Sequence, residues 1–550
     1  MSMDYNKLAE ILYPNATTAI DEIEARYPQR QLPEGAKVTR FAPSPTGFVH
    51  FGGLLPTTVD MYLARQSGGV FYLRIEDTDN KRRVDGAEED IINAYAKFGT
   101  EFDERVILGG GQKGDYGPYR QSERVGLYQA YAKKLIAENK AYPCFCTEDE
   151  LNAVRDEQKS LKVNTGYYGK WAKYRDADMK TIEKELASGK SFVLRFRSEG
   201  NTDNKIKFTD LVRGDIELTE NDIDQVLLKS DGIPTYHFAH AVDDHLMKTT
   251  HVVRGEEWLP SLPFHIQLFK SLGFKMPKYL HIAQLMKLEG TSKKKLSKRD
   301  KGVSLTDFFS EGYAPESVNE YILTLLNSNF EEWRKANSDM DIKYFPFSIK
   351  KMSASGCLFD FDKLDDVSKN VISKMSAEKV YADVTEWANS YDPDFGKILS
   401  ADSDYATAIL SIGRGGNKPR KDITLWSGVK EYMGFFYDEY FEIYDEYPER
   451  FDKADIKAAL EKFAATYSAS DDQDAWFGKI KETSSSLGFA ADTKDYKLSP
   501  ESYKGHVGDV SMFLRIAVTG KMNSPDMYSV MQILGEAKVA DRIKKMAASI

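Results

Sequence analysis

One stretch constrains the fold of this chain more than any other: Arg40-Phe41-Ala42-Pro43-Ser44-Pro45-Thr46-Gly47-Phe48-Val49-His50-Phe51-Gly52-Gly53. It begins on an apolar run with strand character, passes two rigid prolines, and ends on an imidazole and two glycines before a helical pattern. A helix start offers unpaired N–H groups and partial positive charge, so this arrangement suits an anion. The glycines let a nucleotide approach the backbone closely, and His50 can hydrogen-bond a phosphate oxygen. A tight structural turn would account for the prolines and glycines but not for His50 or Arg40.

The surroundings give the same answer. Lys37 to Ala42 reads as a strand, an amphipathic helix follows Gly52-Gly53 and runs to about Arg65, Val70 to Ile75 reads as a second strand, and a second helix covers about Asp85 to Phe98. Strand, helix, strand, helix is the pattern of a parallel α/β sheet. Residues 1–36 read as a helical preface closed by Gln31-Leu32-Pro33-Glu34-Gly35. Beyond Gly117-Pro118 come a long helix (Ser122 to Asn139), the Cys144 region and strand-like runs near 191–197 and 206–219. The α/β texture returns at Gln225, and from about 346 the chain is mainly helical and rich in aromatics. At 550 residues, three or four domains are expected.

Composition narrows the chemistry. Lys and Arg total 75 against 85 Asp and Glu, a net charge of −10. Such a chain does not coat polyanions indiscriminately, so duplex DNA is not an expected partner and any nucleic acid must be held by local basic patches. No apolar run reaches about 18 residues, and acidic residues are scattered through the first 30, so neither a membrane span nor a signal peptide is expected. Three cysteines (Cys144, Cys146, Cys357) are too few for a disulfide framework, which suits a reducing, cytoplasmic setting.

Two other patterns carry less. Gly109-x-Gly111-x-x-Gly114 matches a dinucleotide fingerprint, but Asp115-Tyr116-Gly117-Pro118 follows it instead of an apolar helix, so a glycine loop is expected. His237, His240, Asp243, Asp244, His245 and His251 are metal-ligand types without a metal-ligand spacing, and hydrogen-bonded structural roles are the preferred reading. The lysine run Lys293-Lys294-Lys295-Leu296-Ser297-Lys298-Arg299 would alone be a solvated loop. Paired with the first motif, it reads as the grip on the far phosphates of a triphosphate.

Together these segments resemble the class I aminoacyl-tRNA synthetases, and within them the bacterial-type glutamyl group. Arg40 to Gly53 is similar to the HIGH signature, with His50 and Gly52 at the HxG positions, and Lys295 to Arg299 to the KMSKS signature. Further similarity runs through Arg74-Ile75-Glu76-Asp77-Thr78-Asp79, Gly117 to Arg124, Ser230 to Tyr236, Val242 to Met247, and Val253-Arg254-Gly255-Glu256-Glu257-Trp258. Glutaminyl relatives carry Pro-Glu-Pro-Asn-Gly where this chain has Pro43-Ser44-Pro45-Thr46-Gly47, and their anticodon part is β-rich. A truncated glutamyl transferase lacks the anticodon region, and a binding paralogue would have lost His50 or the lysine loop.

The resemblance implies a multidomain α/β fold. After the extension at 1–36 come the first half of a Rossmann-like catalytic domain (37–118), an α+β insertion for the tRNA acceptor end (119–224), the second half with the lysine loop (225–345), and a mainly helical anticodon-binding region (346–550). It implies ATP, Mg²⁺ travelling with ATP, L-glutamate and tRNA as ligands, with a monomeric protein expected. ATP would meet His50, Gly52, Gly53, Glu257, Trp258, Lys295 and Lys298, of which His50, Gly52, Lys295 and Lys298 are the catalytic set. Glutamate would meet Arg40, Ala42, Ser44, Glu76, Tyr236, His240 and Arg254, with Arg254 on the side-chain carboxylate. An arginine in so acidic a stretch would by default pair with Glu256 or Glu257. His240 stands where the family often has Asn. Some relatives bind zinc through a Cys-x-Cys pair and later ligands; here Cys144-Phe145-Cys146 is followed by Tyr168-Gly169-Lys170-Trp171-Ala172-Lys173, so no zinc and no protein-held metal is expected. Arg414, Lys418, Arg420 and Lys421 form a basic break nominated for tRNA, against an ordinary solvated loop.

Overall fold

The computed structural model describes residues 3–47, 49–79, 84–296, 304–416 and 418–550. These form two compact units, one of residues 1–306 and 319–360, the other of 307–318 and 361–550.

The first unit opens with two short helices, α1 (Tyr5–Leu12) and α2 (Ile20–Arg26). Asp4 caps α1 through Lys7 N–H, while Leu8, Ala9 and Leu12 are buried at the i, i+1, i+4 spacing of one helix face. Strand β1 (Val38–Phe41), helix α3 (Leu54–Gln66) and strand β2 (Val70–Leu73) form a β-α-β unit with β1 and β2 parallel, Arg40 opposite Tyr72. Helix α4 (Ala87–Lys97) follows, its first turn carrying Glu88, Glu89 and Asp90 against the helix dipole. The glycine-rich segment is the tip of a hairpin, β3 (Arg105–Val106) with β4 (Gln112–Lys113), Ile107 N–H donating to Gly111 C=O. The dinucleotide match therefore has no helix behind it.

The segment that follows contains α5 (Val125–Ala137), β5 (Ala141–Cys144), α6 (Glu148–Ser160), α7 (Met179–Ala187), β6 (Val193–Phe196), the hairpin β7 (Lys205–Asp210) and β8 (Gly214–Thr219), and β9 (Val226–Leu228). Strands β5, β6 and β9 make an antiparallel sheet. The single strand-like run expected at 206–219 is two strands, because Leu211-Val212-Arg213-Gly214 turns the chain back, with Asp210 accepting from Val212 and Arg213 N–H. Helix α8 (Tyr236–Leu246) leads to β10 (His251–Gly255); α9 (Leu262–Leu272) crosses back to β11 (Lys278–Ile282), parallel to β10. Thr250 N–H donates to Val38 C=O, which sets β10 alongside β1. The hairpin β12 (Leu285–Glu289) and β13 (Ser292–Lys295) carries the start of the lysine loop.

The preface is a strap across this unit. Arg30 makes a bidentate pair with Glu104 at 2.6 and 2.9 Å, donates through Nε to Met247 C=O, and lies 3.7 Å over the Tyr116 ring. Tyr27 donates to Gly117 C=O and accepts from Arg124, while Glu24 meets Tyr131 and His245.

The second unit is helical, with helices such as Ala377–Tyr391, Lys453–Thr466, Val507–Thr519 and Glu536–Ser549. Its core packs aliphatic side chains such as Val384, Leu399 and Leu460 with aromatic ones including Phe395, Phe436, Phe463 and Phe513. Among its described residues no strand exceeds an isolated bridge, unlike the β-rich anticodon part of the glutaminyl rival.

Candidate active site

A cleft of about 1030 Å³ opens at the carboxyl ends of β1, β2, β10 and β11, where ligands of open α/β sheets are expected. It brings together Arg40, Ala42, Ser44, His50, Gly52, Gly53, Glu76, Tyr236, Arg254, Glu257, Trp258 and Lys295. Two of the residues read from the sequence are not in that lining. Lys298 lies outside the described residues. His240 is fully buried behind the wall, 2.8 Å from Tyr279 Oη and 2.7 Å from Asp244 Oδ2, its ring stacked parallel to Tyr236. Its place is therefore under the ring that faces the cleft.

The anion end is built from the loop before α3. His50 is the last extended residue before a 3₁₀ turn, Phe51–Gly53, that runs into α3. A Cβ on Gly52 would come 3.1 Å from His50 Nδ1, so the imidazole lies directly against that glycine. Lys295, at the end of the β12–β13 hairpin, is exposed and reaches the same cleft.

The other end is governed by buried charge. Arg254, on β10, is 5% exposed. Its Nε donates to His281 Nε2 at 2.9 Å, its Nη1 lies 3.2 Å from His265 Nδ1, and its Nη2 is buried with no partner. His281 Nδ1 in turn lies 2.7 Å from Asp210 Oδ2, which fixes the tautomer with Nε2 free to accept. Among the described residues Arg254 makes no ion pair: Glu256 is taken by Arg213, and Glu257 meets Gln284. The cation is thus held by neutral rings. His265 is buried and held neutral well below its ordinary range by desolvation and by the neighbouring histidines and Arg254, and His237 is pushed down to about 4 by burial and Arg254.

Arg40 and Arg74 share Asp244, at 3.3 and 2.6 Å, and Arg74 also reaches Glu76 at 3.0 Å. Burial alone would raise the Asp244 carboxyl, but Arg74 and Arg40 hold it well below the usual range. Glu76, equally buried, is raised because desolvation outweighs Arg74. The metal-type cluster at 237–251 is spent in this web: Asp243 accepts from Gln121, Arg124 and Tyr128, and His245 meets Glu24. Among the described residues no three His, Cys, Asp or Glu side chains converge as a metal site, and Cys146 Sγ lies 3.6 Å from Tyr167 Oη.

Sequence reasoning missed Asp60, Gln121 and Lys229, which also line the cleft. Gln121 sat inside a quoted segment, Gly117 to Arg124, whereas Asp60 lies mid-helix with no local signal. Of the basic break, Arg414 is spent on the carbonyls of Leu410, Ile372 and Met375, and Arg420 pairs with Asp422, while Lys418 and Lys421 are exposed.

The family described as "tRNA synthetases class I (E and Q), catalytic domain" matches residues 37–366, and "Anticodon binding domain" matches residues 419–547. The glutamate–tRNA ligase of Acetivibrio thermocellus is 50% identical over 546 residues, covering 99% of this chain and 100% of the relative. That of Clostridium perfringens is 45% identical over 551 residues, covering 99% and 100%. Among solved structures, a glutamate tRNA ligase from Elizabethkingia meningosepticum in complex with its amino acid superposes with a TM-score of 0.73 at 28% identity, covering 93% of this chain and 99% of that one.

Proposed function

Because the chain belongs to the class I tRNA synthetases of the E and Q type, we propose that it ligates L-glutamate to the 3′ end of tRNA at the expense of ATP. The α-carboxylate of glutamate attacks the α-phosphorus in line, a C–O–P linkage forms, the α–β bridge breaks, and pyrophosphate leaves. A hydroxyl of the terminal ribose then attacks the carbonyl carbon of the adenylate, and AMP departs. The first nucleophile is already ionised at pH 7, so no general base is needed, and acceleration comes from positioning and charge neutralisation. His50, the N–H group of Gly52, Lys295 and Lys298 serve the phosphates, with Gly53, whose own N–H is spent on His50 C=O, giving close backbone approach, and with Glu257 and Trp258 on the nucleoside side. Mg²⁺ enters with ATP, held chiefly by phosphate and water.

The single observation that carries the amino-acid assignment is the unpaired, buried Arg254 guanidinium lining the cleft. A cation held without a counter-ion is suited to a carboxylate supplied by the ligand and is poorly matched to an amide. Arg40, Ala42, Ser44, Tyr236 and Glu76 complete the glutamate pocket, and His240 acts on it through Tyr236. The segment 119–224 handles the acceptor end, 346–550 the anticodon, and the protein works as a cytoplasmic monomer. ATP–pyrophosphate exchange with each amino acid, with and without tRNA, tests the reading. Glutamate alone should support exchange; faster exchange with glutamine would overturn it.

A further inference from the structure

Gln121 opens a 3₁₀ turn, Gln121–Arg124, that is sewn to the β2 extension. Its N–H donates to Ile75 C=O at 3.0 Å, Ile75 N–H donates to Tyr119 C=O, and Asp77 accepts from both the N–H and the hydroxyl of Ser122, at 2.8 and 2.6 Å. Gln121 is thereby held beside Glu76. It is 1% exposed and lines the cleft, yet among the described residues its Oε1 is buried without a partner.

The orientation of that amide is dictated by its neighbour. Nε2 donates to Asp243 Oδ2 at 2.9 Å. Asp243 also accepts from Arg124 Nε at 2.7 Å and Tyr128 Oη at 2.9 Å, with Arg74 Nε at 3.6 Å, so it acts as a pure acceptor. Turning the amide over would set oxygen against oxygen. The NH₂ group is therefore committed to Asp243, and the carbonyl oxygen is left, among the described residues, as an unmet acceptor for a donor entering the cleft.

Resting on the glutamate reading above, we propose that Gln121 Oε1 accepts a hydrogen bond from the α-ammonium group of the bound amino acid, beside Glu76, and that Asp243, Arg124 and Tyr128 are positioning residues for that contact. The α-ammonium is the donor the substrate must place near the reacting carboxylate, and an uncharged acceptor receives it without adding a second anion near the phosphates. An unmet acceptor in so buried a place also penalises amino-group-free analogues, since they leave it unpaired.

The test compares binding of L-glutamate and of glutarate, which keeps both carboxylates and lacks the amino group, by calorimetry on the full chain. Gln121→Met keeps the length and removes the acceptor; Gln121→Asn keeps an amide but draws its carbonyl, and with it the NH₂ that meets Asp243, back by one methylene. Each variant should weaken glutamate by about 10- to 100-fold, the scale of a hydrogen bond to a charged group, while glutarate binding changes less than about threefold, so the preference for glutamate collapses. Equal losses for both ligands, or no loss for either, would overturn the assignment of Gln121 alone. Failure of the wild-type chain to bind glutamate would overturn the reading on which it rests. If Gln121→Met does not fold, Gln121→Asn decides.

Discussion

Replacing Arg254 by Gln separates a substrate-binding arginine from a structural one. In the free protein the guanidinium has three neighbours that matter: His281 at 2.9 Å, His265 at 3.2 Å and the Tyr279 ring, 4.7 Å from its centroid to Cζ. None is a carboxylate, so the substitution breaks no ion pair and removes a buried cation whose Nη2 is unpartnered. Stability should therefore change little, within about 1–2 kcal/mol for lost hydrogen bonds. In the complex the same cation faces the ligand's side-chain carboxylate in a desolvated site, and removing one partner of such a pair costs about 3–5 kcal/mol. At about 1.4 kcal/mol per decade that is roughly a 10²- to 4 × 10³-fold loss in kcat/KM for glutamate. Pyrophosphate exchange at varied glutamate and ATP, beside thermal melting, reads both. The expected pattern is a large glutamate-specific loss, an unchanged KM for ATP and a narrowed preference over glutamine. Wild-type kcat/KM for glutamate, or a large loss of stability with equal damage to both substrates, would refute the reasoning.

Other expectations follow from the same geometry. His50→Ala and Lys295→Ala should each slow exchange by about two to three orders of magnitude with an unchanged melting temperature, since each removes one donor from a phosphate transition state; wild-type exchange rates would sink that assignment. His237, His240 and His251 are pushed down to about 4 by burial, so the unfolded chain takes up protons that the folded chain refuses between about pH 6.5 and 4. Their contribution is fully present above pH 6.5 and is lost as pH falls towards 4; Asp60 and Glu76, raised by burial, work in the opposite sense. Calorimetry should show the melting temperature falling from pH 7 to 5, and a smaller fall in His237→Asn; identical slopes would show that His237 is not buried neutral. With net charge −10, tRNA binding should weaken steeply with salt while random duplex DNA competes poorly, and DNA that displaces tRNA at equal nucleotide concentration counts against shape-specific recognition. Elemental analysis of dialysed protein should find no stoichiometric zinc; about one zinc per chain would redirect attention to Cys144, Cys146 and Tyr167.

What could be read from the sequence is what is local in it. The strand, the proline-bound loop and the helix around His50 are specified within about 30 residues, and β1, α3 and β2 all fall within two residues of their expected places, β2 stopping at Leu73 instead of Ile75. The support of Arg254 was hidden, because His281 takes its orientation from Asp210, 71 residues earlier on a hairpin. Spacing alone left Glu256 as the default partner, and only the fold brings Arg213 to claim it. Gln121 was invisible for a related reason: its role depends on which half of its amide is spent, and that is decided by Asp243, 122 positions away. Arg414 is the converse case, a charge in a basic run whose Nε and Nη1 the fold turns onto three carbonyls.

The strap at the amino end has a consequence for the order in which the molecule is made. Arg30 finds Glu104 74 positions later but Met247 only 217 positions later, and Glu24 waits 221 positions for His245. At about 5–20 residues per second, a ribosome needs roughly 10–40 s to supply those partners. During that time α1 and α2 can dock on α5 through Lys133 and Tyr131, their earlier partners, but cannot be locked. A nascent chain arrested before residue 245 should therefore carry α1 and α2 in a loosened, protease-sensitive state.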